Sequence, residues 1–389
     1  MLIKRYLFDY VLEDLNEKMV FISGTRQVGK TTLCKHIGET TFKKFLYLNW
    51  DNRQDRKIIL NSLWQPEAEL IIFDEIHKYR TWKNFIKGEY DKNKEKYKFL
   101  VTGSSRLDIY RKTGDSLQGR YHHYILHPFS LSEIENIKPS LTPFKELVFT
   151  ESPSSSLSQL LKFGGFPEPF IKQSERHLRR WHNEKVERLF KEEIRELTLI
   201  REVSNMKLLS DILPTEVGSL LSLNSLREDL EVSYKAVQNW IEILEAFYYC
   251  FRIYPYNYSK IRALKKEPKL YLWDWSEVED ESYRFENLIA SHLLKTCHFL
   301  KDYLGYKAEL CFLRDVDKRE VDFVVVVDNK VWFAVDVKKS DKNISPHMFY
   351  FKKRLHIPYT YQVVFDEGVD FEKDGVRVIS ASKFLTGVV

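Results

Sequence analysis

Residues 24–31 read Gly24-Thr25-Arg26-Gln27-Val28-Gly29-Lys30-Thr31 and fit the pattern GxxxxGK[ST] at every position. They follow the apolar run VFIS and precede the helix-like run TTLCKHIG, the strand-then-helix context that a phosphate loop requires. The glycines let backbone N–H groups fold around phosphate oxygens, and the helix start adds the positive end of its dipole. In such a loop Lys30 reaches the β- and γ-phosphates and Thr31 offers its hydroxyl to Mg²⁺. The expected cofactors are therefore ATP and Mg²⁺, with Gly24, Thr25, Arg26, Gln27, Val28, Gly29, Lys30, Thr31 and Thr32 lining the phosphates. A second apolar run, LIIF at 70–73, ends in Asp74 and Glu75. That is the Walker B arrangement: Asp74 is expected in the Mg²⁺ shell and Glu75 as general base for the attacking water. The run FLVT at 99–102 ends in Gly103-Ser104-Ser105. Ser104, or Thr102 in its place, is expected to sense the γ-phosphate, against the plainer reading of a strand-to-loop turn.

A second set of acids lies further along. Glu286 falls in a helix-like stretch, Asp322 early in the strand-like run REVDFVV, and Asp336 and Lys338 at the end of FAVDVK. Side chains alternate along a strand, so Asp336 and Lys338 share a face while Val337 points the other way. Glu286, Asp322 and Asp336 are the expected ligands of a divalent metal that would activate water against a phosphodiester. Lys338 would position or deprotonate that water. This is the PD-(D/E)xK nuclease pattern; the competing reading keeps the fold for binding alone. His122, His123 and His127 lack metal-ligand spacing, and Cys34, Cys250, Cys297 and Cys311 form no CxxC pair. Neither zinc nor a disulfide framework is expected.

The elements that must position these residues are legible in outline. Five short apolar runs, at 18–23, 44–48, 69–73, 98–102 and 121–126, alternate with helical spacers. Such runs predict a parallel sheet with helices on both faces. SPSSSLS at 152–158 marks a loop into a densely charged helical region, whose mixed signs argue for a solvated helix face. Two helices follow, at 220–230 and 233–247, the second capped by Ser233 and carrying Ile241, Leu244 and Phe247 at helical spacing. Then Arg252, Lys260, Arg262, Lys265, Lys266 and Lys269 interleave with Tyr254, Tyr256 and Tyr258. That stretch suits a nucleic-acid backbone; a solvated surface on a packing module is the alternative.

The 389 residues, 43% hydrophobic with 26 Phe and 22 Tyr, can fill several cores and do not fit a disordered chain. The 61 basic and 56 acidic residues leave a formal charge of +5, which permits a polyanionic partner without demanding one. No stretch is long and apolar enough to span a bilayer, and the N-terminal run MLIKRYLFDYVLEDL lacks a signal-peptide core. A cytoplasmic protein without a membrane partner is expected.

The motifs GTRQVGKTT, FDEIHK and TGSS, followed in order by SLQGRY at 116–121, PFSLSEI and GGFPE at 164–168, form an ordered set. Together they resemble the prokaryotic AAA+-like P-loop ATPases that carry a C-terminal restriction-endonuclease-like domain, and the resemblance covers most of the chain. It implies an α/β multidomain protein. Residues 1–150 would form the AAA+-like ATPase core, 151–210 a helical lid or linker, 211–275 a winged-helix region and 276–389 a PD-(D/E)xK nuclease-like domain. The helix from Ser233 would be the recognition helix, with Tyr234, Lys235, Gln238 and Asn239 outermost. Arg120 would sense or complete the phosphate site, supplied in trans by a homo-oligomer, or else serve as a structural ion pair. Asp336 stands where that family more often has Glu. DNA is the implied partner, with a protein partner as the alternative. The implied activity is ATP hydrolysis coupled to a metal-dependent DNA nuclease, or to a nuclease-like fold that only recognises DNA or protein.

Overall fold

Strands built from continuous apolar runs need cover on both faces, and the first part of the chain places a helix after each of its first three strands. The computed structural model describes residues 3–103, 117–152, 154–194, 203–257, 266–340 and 343–389. Ser104, Ser105 and Ser116, and Tyr258, Lys260, Arg262 and Lys265 of the basic stretch, lie outside the described residues. Contacts divide the chain into two units: residues 1–127 with 246–248, and residues 128–245 with 249–389.

The first unit runs α1 (Phe8–Asp14), β1 (Met19–Ser23), α2 (Lys30–Thr41), β2 (Phe45–Asn49), α3 (Arg53–Leu60), β3 (Leu70–Asp74), α4 (Trp82–Asn93), β4 (Lys98–Thr102) and β5 (Tyr121–Ile125). The strands lie in the order β2-β3-β4-β1-β5, and every pairing is parallel. All five residues of β1 and of β3 are buried. Phe21, Leu48, Phe73, Trp82 and Phe99 belong to one core cluster, and α2 buries Leu33, Cys34 and Ile37. The carboxyl ends of β1, β3 and β4 bring Ser23, Asp74 and Thr102 to one edge, where open α/β sheets bind ligands.

The second unit begins with helices α5 (Leu131–Ile134), α6 (Ser154–Phe163), α7 (Pro167–Lys172), α8 (Glu175–Arg188), α9 (Val203–Ile212), α10 (Leu223–Asp229) and α11 (Tyr234–Ala246). Ser222 caps α10, and the Ser233 hydroxyl accepts the Ala236 N–H at 3.1 Å. The turn between them is sharpened by Glu231 at φ 52°. Along α11, Val237, Trp240, Ile241 and Leu244 are buried at helical spacing. Tyr234, Lys235, Gln238 and Asn239 are exposed, as the sequence predicts.

The remaining elements are β6 (Cys250–Pro255), β7 (Lys269–Leu272), α12 (Glu281–Asp302), β8 (Ala308–Arg314), β9 (Glu320–Val327), β10 (Lys330–Lys338), α13 (Pro346–Leu355), β11 (Tyr359–Val364), β12 (Asp370–Lys373), β13 (Val376–Ser380) and α14 (Ala381–Phe384). They form a sheet in the order β12-β13-β11-β10-β9-β8-β6-β7. Either side of residues 258–265, β6 and β7 pair with each other and join this sheet: Tyr254 of β6 pairs with Cys311 of β8, and β7 is fully buried. Cys250, Phe251, Ile253, Leu270, Tyr271 and Leu272 of the two strands are all buried. No described helix is long and apolar enough to cross a membrane.

Candidate functional site

The phosphate loop leaves β1 at Gly24, whose φ of +136° and position suit glycine alone. A Cβ there would stand 2.4 Å from the Leu126 carbonyl oxygen. Gln27 (φ 60°) and Gly29 (φ 97°) complete the turn into α2. Lys30 lies over the loop it belongs to, donating to the carbonyls of Gly24 at 2.9 Å and Thr25 at 2.7 Å. Arg5, buried, supports the loop, donating from Nη1 to the Val28 carbonyl at 2.6 Å and from Nη2 to that of His127. Nothing near Arg5 in the sequence signals this role, because its acceptors are backbone atoms far along the chain.

Thr31 and Asp74, 43 residues apart, meet at the carboxyl ends: Thr31 Oγ1 donates to Asp74 Oδ2 at 2.8 Å. Tyr47 on β2 donates its hydroxyl to the same oxygen at 2.6 Å. Burial raises the Asp74 carboxyl above its ordinary range, while the Tyr47 and Thr31 hydrogen bonds oppose that rise. A hydroxyl and a carboxylate oxygen so close together, beside a phosphate loop, are a donor set that fits Mg²⁺. Glu75 follows in the left-handed region (φ 56°), a conformation that costs energy outside glycine. Its N–H donates to the Thr102 carbonyl at 3.0 Å, and Oε2 lies 3.5 Å from Lys78 Nζ and 3.6 Å from His77 Nε2. Lys78 also pairs with Asp51 at 2.5 Å. Thr102, named as the rival to Ser104, is fully buried in register with Asp74.

Arg120 lies at the other edge. It precedes β5, its carbonyl accepts from Met19 at the start of β1, and its guanidinium clamps Asp91 of α4 at 2.7 and 3.0 Å. The hydrogen bond from Arg120 holds Asp91 below the ordinary carboxylate range. Five-residue β1 separates this edge from the phosphate loop by roughly 13 Å at ~3.3 Å per residue. Arg120 therefore does not complete the phosphate site of its own sheet.

In the second unit, Glu286 on α12, Asp322 at the start of β9, and Asp336 and Lys338 at the end of β10 do come together. Val337 N–H donates to Asp322 Oδ2 at 2.9 Å, and Lys338 pairs with Asp336 at 3.1 Å. Burial and the Asp322 charge push both the Glu286 and Asp336 carboxyls up to about 7. Asn287 fixes α12 against β7, accepting the Leu272 N–H and donating to its carbonyl, each at 2.8 Å.

Lys269, Glu320 and Tyr271, none of them assigned to this site from the sequence, complete the cluster. Lys269 Nζ lies 2.7 Å from Glu320, 3.3 Å from Asp322 and 3.4 Å from Glu286. Tyr271, two residues on and hence on the same strand face, donates to Glu286 at 2.7 Å. Lys269 was read as part of a basic surface; it is buried among acids instead. Arg252 of the same stretch is also engaged, bound through Nε and Nη2 to Glu245 at 2.9 and 2.6 Å. Among the described residues, no group of three or more His, Cys, Asp or Glu is disposed to hold a metal ion. The metal expected on Glu286, Asp322 and Asp336 does not fit, because an ammonium already bridges two of those ligands.

Residues 154–276 and 284–384 match two domains of unknown function, DUF8612 and DUF4143. The Methanocaldococcus jannaschii protein MJ1544 is 23% identical over 360 residues, which cover 86% of this chain and 78% of that protein. MJ1637 of the same organism is 24% identical, over 87% of this chain and 80% of its own length. Among solved structures, a Thermotoga maritima RuvB variant is 15% identical with a TM-score of 0.32, covering 63% of this chain and 88% of that one. Bacteroides Pif1 bound to single-stranded DNA is 14% identical with a TM-score of 0.23, covering 42% and 57%. Residues 16–135, which hold the phosphate loop, Asp74, Glu75 and Arg120 on a five-stranded parallel sheet, match the AAA domain family.

Proposed function

We propose that the chain binds ATP with Mg²⁺ and hydrolyses it, and that turnover governs how its second unit holds DNA. The observation that supports this most is the 2.8 Å hydrogen bond between Thr31 and Asp74, which unites two motifs at the edge of a parallel sheet. Backbone N–H groups of residues 24–31 and the start of α2 hold the phosphates, and Lys30 leaves its loop carbonyls to neutralise them. Thr31 and Asp74 would hold Mg²⁺, which would supply neutralisation of the charge that develops on the phosphates. Glu75 orients the attacking water and takes its proton. Arg120, too far from its own phosphates, acts on those of a neighbouring copy in a homo-oligomer.

The DNA half of the reading rests on the helix–turn–helix of α10 and α11 and on the exposed Tyr234, Lys235, Gln238 and Asn239. Between a cutting and a non-cutting second unit, the buried Lys269 favours recognition without cleavage, of DNA or of a protein partner. The compartment we assign is the cytoplasm. Phosphate release and fluorescence anisotropy on labelled duplex DNA test the whole reading. Lys30→Ala should abolish hydrolysis and make DNA affinity insensitive to ATP, whereas unchanged turnover in Lys30→Ala refutes the proposed site. If Lys235→Glu leaves anisotropy unchanged, α11 does not read DNA and a protein partner takes its place.

A further inference from the structure

A strand-end cluster of Glu286, Glu320, Asp322 and Asp336 invites a cation. Mg²⁺ demands near-octahedral oxygen ligation at about 2.0–2.1 Å, and Mn²⁺ is likewise a metal of carboxylate and water sites. Here the space between three of the four carboxylates holds the Lys269 ammonium, 2.7, 3.3 and 3.4 Å from Glu320, Asp322 and Glu286.

That ammonium is not a loose side chain that a metal would brush aside. Its side chain is 3% exposed and sits 5.9 Å from the centroid of the Phe312 ring. Its backbone is pinned on two sides, by Ile253 in β6 and by a bridge to Leu220. A dication entering the cluster would leave the lysine charged, buried and without its acids, a state that burial strongly disfavours. On the other flank, Lys338 Nζ lies 3.1 Å from Asp336 Oδ2, and Arg314 pairs with Glu320.

We infer that Lys269 is the resident cation of this carboxylate cluster, and that it excludes divalent metal from it. The second unit then keeps the constellation of a metal-dependent nuclease while its central charge is supplied by a strand residue. This inference concerns the second unit alone and does not depend on ATP hydrolysis.

The test is Mn²⁺ binding to the full chain without nucleotide, read by electron paramagnetic resonance of free Mn²⁺. Wild type and Lys269→Arg should show no saturable site below about 1 mM, the weak end for protein carboxylate sites, that Asp322→Asn removes. Lys269→Gln, neutral and of similar length, should gain one site, and adding Asp322→Asn should remove it. Near-UV circular dichroism checks that each variant is folded. Saturable Mn²⁺ binding by wild type that disappears in Asp322→Asn overturns the inference, and that comparison decides even if Lys269→Gln does not fold. A folded Lys269→Gln that gains no Mn²⁺ overturns it too, because the lysine would then not be what keeps the metal out. ATP hydrolysis should be unchanged in Lys269→Gln, so its loss in Lys30→Ala reports separately on the other site.

Discussion

The Tyr47 hydroxyl takes one side of the oxygen that Thr31 holds from the other, so Asp74 is aimed before any cation arrives. Tyr47→Phe should slow hydrolysis by about tenfold, the kinetic equivalent of one charge-assisted hydrogen bond of roughly 1.5 kcal/mol. Nucleotide affinity measured by calorimetry should change far less. Glu75→Gln should keep ATP binding and lower turnover by about 10²–10⁴-fold, the range for loss of a general base. Hydrolysis by Glu75→Gln at the wild-type rate would assign the base elsewhere. The phosphate loop was legible because its chemistry is contiguous: spacing alone places backbone, lysine and hydroxyl. Tyr47, Arg5 and Lys269 were not, since each acts on residues distant in sequence. Lys269 in particular was counted with its basic neighbours, whereas its partners sit 17 and 53 residues away.

At the level of elements, the five strands of the first sheet were foreseen nearly residue for residue, because buried parallel strands advertise themselves as apolar runs. The strands β6 and β7 were harder to read. Arg252 and Lys269 stand in a basic stretch, and only the folded sheet reveals that both are bound to acids. Asn287 is what fastens α12, and with it Glu286, to β7. Asn287→Ala strands one N–H and one carbonyl in the interior, so denaturant melts should show a loss of about 3 kcal/mol. His292 joins α12 to α5 in a similar way: its Nε2 accepts the Leu131 N–H at 3.1 Å while Nδ1 donates to Leu288. Burial lowers its pKa from 6.5 to about 4. The folded state therefore binds fewer protons than the unfolded chain in that window. Its contribution is complete above pH 6.5 and disappears as pH falls to about 4, a loss of roughly 3 kcal/mol. Asp274 adds a lower step. Burial opposes its charge, but Lys185 and His182 hold it at about 2 against an ordinary 3.8, so its share is lost below pH 3.8. Urea titrations of wild type and His292→Asn across pH 4–7 check the first step; a profile equally steep in the variant would refute it.

For the molecule as a whole, the proposed action of Arg120 on a neighbouring copy would make assembly part of the chemistry. Arg120→Ala should bind ATP normally and hydrolyse it poorly, by 10³-fold or about that for a lost arginine finger. Mixing Arg120→Ala with Lys30→Ala should restore some turnover, because each copy can lend the other what it lacks. A mixture as inactive as its parts would return Arg120 to the bidentate ion pair with Asp91.

The join between β7 and the rest of its sheet also has a bearing on truncation. The composition of residues 276–389 invites their expression as a free-standing nuclease-like fragment. Such a fragment would carry Glu286, Glu320, Asp322 and Asp336 but leave Lys269 behind. Glu286 and Asp322, which no ion pair of that fragment would then serve, would be free to take Mg²⁺ or Mn²⁺ from the buffer, and metal binding by the fragment would be an artefact of the cut.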